Sequence, residues 1–93
     1  MAYRITQSED TQSGKLILLL EGSFDAEGGQ KIEQICNDAQ KKFGKNIMID
    51  VNGVTFLDET SSAILCRLKN QQGLSLIGCH LFTKKVIDES ESK

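Results

Sequence analysis

Asp58-Glu59-Thr60-Ser61-Ser62 is the segment richest in groups that could do chemistry: two carboxylates followed by three hydroxyls. Extended-chain residues precede it, and Ile64, Leu65 and Leu68 follow at helical spacing. The hydroxyls therefore stand at a helix start. The first N–H groups of a helix lack intrahelical partners and carry the positive end of its dipole. A phosphate on a hydroxyl there gains hydrogen bonds and a favourable field. Asp58 and Glu59 already occupy that field, so the added charge also meets like-charge repulsion. A covalent charge of about −1.5 to −2 changes what a surface can bind, which makes a switch without a catalytic site. The competing reading is that Asp58 and the hydroxyls only cap the helix.

Asp25, Asp50 and Asp58 are the acids placed where chemistry could use them. Asp50 ends a buried-type strand and Asp58 starts a helix, so both can lie at one edge of a sheet. Such a pair could do acid–base work or hold magnesium. Capping and turn hydrogen bonds are the plainer reading. No phosphate-binding Gly-Lys-Ser/Thr loop, dinucleotide fingerprint or serine elbow occurs, and His80 has no nucleophile beside it. The expectation is a protein that is not an enzyme and needs no cofactor. Cys36, Cys66 and Cys79 are widely spaced, with no Cys-x-x-Cys pair. They read as small buried hydrophobes in reduced form, not as a disulfide framework or, with His80, a metal site.

These residues need elements to hold them. Tyr3 to Ser8 alternates weakly and suits an edge strand; Glu9 to Gly14 is a polar connection. Lys15 to Leu20 reads as a strand buried on both faces and ended by Glu21, Gly22 and Ser23. Asp25 can cap a helix whose stripe is Ile32, Ile35, Cys36, Ala39 and Phe43, with Gly44 as its stop. Gly28 and Gly29 weaken its first turns, where fraying is expected. Ile47 to Val51 is a second buried-type strand; Val54 to Leu57 is short, and Asp58 opens the next helix. Leu74 to Ile77 is the last strand. Leu81, Phe82, Val86 and Ile87 have helical spacing, and 89–93 read as a frayed tail.

Strands alternating with helices imply crossover connections, and the short first turn allows one antiparallel edge pair. The fold class expected is α/β: a four-stranded mixed, mostly parallel sheet with helices packed mainly on one face. Helices on both faces is the competing layout. The 93 residues form one domain, 1–93 with a core over about 3–88. A fold this small buries only roughly 60–65% of its unfolded surface.

Eleven basic residues against thirteen acidic give a net charge of −2, without the basic excess a nucleic-acid binder uses on phosphates. The apolar fraction is 39% and the charged fraction 26%, which argues against disorder of the whole chain. The longest apolar run, Leu16 to Leu20, is too short to cross a bilayer, and no secretory signal pattern is seen at the start. The chain is expected in the cytoplasm.

Three stretches in order resemble the STAS family, the sulfate-transporter and anti-sigma-factor-antagonist domains. Leu20-Glu21-Gly22-Ser23-Phe24-Asp25-Ala26 resembles its Leu-x-Gly-x-hydrophobic-Asp-Ala motif. Ile47 to Asp58 resembles its hydrophobic strand, Asp, and Val-x-Phe-hydrophobic-Asp run, and Leu74 to Gly78 its last strand. The likeness covers roughly residues 3–88.

The resemblance implies a role. Antagonist-type members have Asp-Ser-Ser-Gly where this chain has Asp58-Glu59-Thr60-Ser61. Their second serine is phosphorylated by a partner serine kinase that is also the anti-sigma factor. The unphosphorylated form binds that kinase and frees the sigma factor for transcription. By position Thr60 is the phosphoacceptor, with Ser61 and Ser62 as lesser candidates. Phe24, Asp25, Asp58, Glu59 and Thr60 form the partner-binding surface. Two departures count: Glu59 puts a permanent charge beside the acceptor, and Ser61 stiffens a turn where the family has glycine. The alternative is a constitutive STAS subunit of a signalling scaffold or lipid-transport complex.

Overall fold

Leu16, Leu18 and Leu20 point one way and Ile17 and Leu19 the other, and that alternation organises the molecule. In the computed structural model, which describes residues 3–78, the first three are buried and the other two half-buried. One sheet face thus carries the core, and Lys15 to Leu20 is not equally buried on both faces as expected. The elements are β1 (Tyr3–Asp10), β2 (Lys15–Phe24), α1 (Ala26–Phe43), β3 (Ile47–Leu57), α2 (Glu59–Asn70) and β4 (Ser75–Ile77). The sheet order is β1-β2-β3-β4, antiparallel between β1 and β2 and parallel thereafter. The crossovers β2-α1-β3 and β3-α2-β4 step the same way along the sheet. Right-handed connections then set both helices on one face, and α1 and α2 pack against each other there.

Two strands run further than the sequence suggests. Glu21, Gly22 and Ser23 do not end β2, which continues to Phe24. Asn52-Gly53 does not interrupt β3, whose eleven residues reach Leu57. The reason is a pair of irregularities in the β2–β3 ladder. Leu19 pairs with Asp50 and Glu21 with Gly53, then Gly22 pairs with Val54 and Ser23 with Phe56. Each step inserts an extra residue on β3, as in a bulge. Gly53 belongs there because an added Cβ would stand 3.0 Å from Glu21 Cγ and 3.3 Å from the Leu20 carbonyl oxygen. The bulges restore the inward facing of Val54 and Leu57, both buried.

Both helices start on aspartate. Asp25 Oδ1 accepts the Gly28 N–H at 3.0 Å, and Asp58 Oδ1 accepts the Ser61 N–H at 2.7 Å. The α1 stripe buries Ile32 and Cys36, with Ile35, Ala39 and Phe43 half-buried beside them. Gly44, at φ 59°, closes the helix through its N–H to Gln40 O. The α2 face buries Ser61, Ser62, Ile64, Leu65 and Leu68.

Gly28 and Gly29, where the sequence suggests a weak first turn, both lie buried in helical backbone. A Cβ on Gly28 would stand 2.9 Å from the Phe24 ring, and one on Gly29 would stand 2.7 Å from Ser61 Oγ and 2.9 Å from Ser61 Cα. The pair lets α1 approach both β2 and α2. Tyr3 on β1 covers the same corner, its ring centroid 5.0 Å from that of Phe24. The expected helix over Leu81, Phe82, Val86 and Ile87, the tail, Cys79 and His80 lie outside the described residues.

Candidate functional site

Phe24 ends β2 and Leu57 ends β3 side by side in register, so the loops that follow them share one edge of the sheet. The Asp58 N–H donates to the Phe24 carbonyl at 3.0 Å and carries the ladder one step past the strands. Asp25 and Asp58 thereby become the caps of two helices that begin at one corner of the molecule. The sequence-predicted residues Phe24, Asp25, Asp58, Glu59 and Thr60 are all brought to this corner.

They do not all present side chains to solvent. Phe24 is fully buried under Tyr3 and against Gly28, so the ring shapes the corner from within. A partner surface there consists of exposed Asp25, half-buried Asp58, and exposed Glu59 and Thr60.

The three hydroxyls separate by burial. Ser61 is fully buried, and its Oγ donates to Asp25 O at 2.7 Å, with Phe24 O at 3.3 Å. Ser62 is also buried, and its Oγ donates back to Asp58 O at 2.8 Å. Thr60 lies exposed in the first turn. The reason is helical phase: the apolar stripe of Ile64, Leu65 and Leu68 draws Ser61 and Ser62, one turn earlier, inward, and leaves Thr60 on the side of exposed Ala63. Ser61 also imposes no backbone strain where the resembled motif carries glycine. Among the described residues every positive φ belongs to a glycine. The hydroxyl is a bolt between the two caps, filling the space that Gly29 leaves open.

Asp50 stands apart. Its Oδ1 accepts the Asn52 N–H at 2.9 Å in a local turn, and an added Cβ on Gly78 would sit 2.9 Å from that oxygen. Asp50 thus shapes the bulge. Among the described residues no three His, Cys, Asp or Glu side chains gather closely enough to hold a metal ion. Cys36 is buried, and loss of water around it pushes its thiol up to about 11. Cys66 is half-buried, its sulfur accepting from Asn70 Nδ2 at 3.3 Å; both are free thiols.

Beside Thr60 runs an open groove between α1 and α2, about 560 Å³ in volume. Gln30 and Glu33 line it from α1, and Glu59, Thr60, Ala63, Ile64 and Arg67 from α2. Arg67 Nη2 and Glu33 Oε2 form an ion pair across it. Sequence reasoning missed this pair, because a contact between two helices leaves no mark in the spacing along either one. The i to i+7 relation of Thr60 and Arg67 was available, since that spacing returns to the same helix face.

No protein-family model matches the sequence, and no curated protein does. A solved structure does match: the antisigma-factor antagonist, STAS domain from Rhodobacter sphaeroides, at a TM-score of 0.64 and 17% sequence identity. The likeness covers 83% of this chain and 87% of that one. The architecture built above from bulged parallel strands and two aspartate-capped helices is therefore a STAS-like fold.

Proposed function

We propose that this chain is a non-enzymatic protein-binding module acting as an anti-sigma factor antagonist in the cytoplasm. Its partner is an anti-sigma factor with serine-kinase activity, or a related signalling protein. The partner docks at the corner made by Asp25, Asp58, Glu59 and Thr60, and phosphorylation of Thr60 releases it. One observation carries the reading: of three consecutive hydroxyls at the start of α2, Thr60 is exposed while Ser61 and Ser62 are buried and donate to backbone carbonyls. The antagonist role of the solved STAS domain supports the same direction.

The test is to incubate the purified protein with ATP and the serine kinase encoded nearest to it, and to map the phosphate by mass spectrometry. Modification at Thr60 that lowers kinase affinity supports the reading; modification elsewhere, or none, sinks it.

Glu59 favours a second reading. It holds a fixed negative charge one residue from the acceptor, in the first turn of α2, and like charge there opposes a phosphate. A constitutive STAS subunit of a signalling scaffold or lipid-transport complex needs no such phosphate. Partner binding that is indifferent to the state of Thr60 would select it.

A further inference from the structure

We infer that Arg67 is the internal receptor for a phosphate on Thr60, exchanging its ion pair with Glu33 for the phosphate and so uncoupling α1 from α2 at the groove. This rests on the reading of Thr60 as phosphoacceptor.

Three features of the groove carry it. Thr60 and Arg67 both line it. They are seven residues apart on one helix, two turns or about 10.5 Å along the axis, on one face. Helical side chains lean toward the N-terminus, so the long arginine side chain sweeps back over the preceding turn toward Thr60. Between them, at i+3 from Thr60 and i−4 from Arg67, stands Ala63, exposed and too short to block the path.

The charges favour exchange. Arg67 faces Glu33 across the groove, and Glu59 stands at the groove's end. A phosphate carries about twice the charge of a carboxylate and offers three acceptor oxygens to a guanidinium fork. Arg67 should therefore leave Glu33, whose carboxylate returns to water. The groove then loses its crosslink and gains negative charge at Thr60, which changes the surface beyond the modified residue itself.

The experiment encodes phosphothreonine at position 60 during expression, so that it does not depend on any kinase. Phosphorus NMR then follows the second ionisation of the phosphate with pH. Arg67→Gln should raise that pKa by about one unit relative to the phosphorylated parent, as loss of a close cation does. Glu33→Gln should lower it, because the competitor for Arg67 is gone. Ala63→Phe, which fills the path, should act like Arg67→Gln. An unchanged pKa in Arg67→Gln overturns the inference and leaves the helix N–H groups as the phosphate's only partners. Should that variant not fold, an unmoved or raised pKa in Glu33→Gln overturns it equally. A failure here leaves release of the partner by Thr60 phosphorylation standing. Conversely, partner affinity indifferent to the encoded phosphate removes the switch while the Arg67 contact remains measurable.

Discussion

Ser61 sits so close to Gly29 that a single added Cβ on the glycine would lie 2.7 Å from the serine hydroxyl and 2.9 Å from its Cα. That contact is where α1 and α2 meet nearest their shared corner, and it fixes how the Asp25 and Asp58 caps stand relative to each other. The second of these atoms is backbone, which cannot swing aside.

Gly29→Ala should therefore destabilise the domain. Alanine gains about 1 kcal/mol in helix propensity over glycine. Overpacking costs about 1–3 kcal/mol, and two contacts under 3.0 Å put this site in the upper part of that range, about 2–3, so a net loss of about 1–2 kcal/mol is expected by urea unfolding. Gly28→Ala should cost less, since its nearest atoms belong to the Phe24 and Tyr3 rings. A Gly29→Ala protein as stable as its parent would falsify the close-packing role.

Much of the fold was legible because its signals are local. Caps at Asp25 and Asp58, the stop at Gly44 and the stripe through Ile32 and Cys36 each depend on neighbours within a few residues. The length of β2 and β3 was not legible. Glu21-Gly22-Ser23 and Asn52-Gly53 carry turn chemistry, and only their pairing across the ladder makes them bulges. Gly28-Gly29 misled for a related reason. Alone it weakens a helix; against Ser61 and Phe24 it permits one to pack. At the corner, the ends of β2 and β3 lie in register, which sets the Phe24-Asp25 and Asp58-Thr60 segments side by side. The burial of Phe24, Ser61 and Ser62 followed from helix phase and from β1 closing over the corner.

The α1 stripe is buried most deeply at one edge, not at its middle. Ile32 is fully buried and Ile35 only partly. Ile32→Ala should cost about 2–5 kcal/mol, and Ile35→Ala clearly less. Denaturant melting of the two variants side by side decides this; equal losses would mean that α1 is rotated about its axis.

Cys36 links stability to pH. Burial raises its folded thiol from the ordinary value of 9.0 to about 11. Between these values the unfolded chain releases a proton that the folded one keeps. Stability from this group is complete below the unfolded value and falls as pH rises toward 11, at up to about 1.4 kcal/mol per pH unit. Cys36→Ala removes this dependence, though it also loses packing. The stability gap between parent and variant should therefore narrow between pH 9 and 11. A constant gap across that range would show a normal thiol. Alkylation at pH 8 should label Cys66 before Cys36.

Ser61 tests the bolt between the caps. Ser61→Ala removes the hydrogen bond to Asp25 O and its longer companion to Phe24 O. A net loss of about 0.5–1.5 kcal/mol is expected. Partner affinity should fall more than in Ser62→Ala, whose lost bond lies within one helix turn. Equal effects on affinity would mean that the Asp25 and Asp58 loops act independently.

Thr60 tests the switch. Exposed in the first turn of α2, it can be changed without disturbing the core, so Thr60→Ala should melt within about 0.5 kcal/mol of the parent. Binding should separate the variants instead. Thr60→Ala should hold the partner kinase as tightly as the unmodified protein and remain bound after ATP is added. Thr60→Glu should bind more weakly, because a carboxylate buried in an interface without a partner charge is costly to desolvate. The loss should be smaller than that caused by phosphate, which carries about −1.5 to −2. Glu59 sharpens the comparison: with that charge already fixed in the same turn, Glu59→Ser should enlarge the contrast between Thr60 and its phosphorylated form. Titration calorimetry of the parent and Glu59→Ser, each with and without the phosphate, and of Thr60→Ala and Thr60→Glu, against one kinase preparation gives the ordering. Should Thr60→Glu and phosphorylated protein both bind like the parent, the corner is a constitutive docking surface and Glu59 one of its permanent contacts.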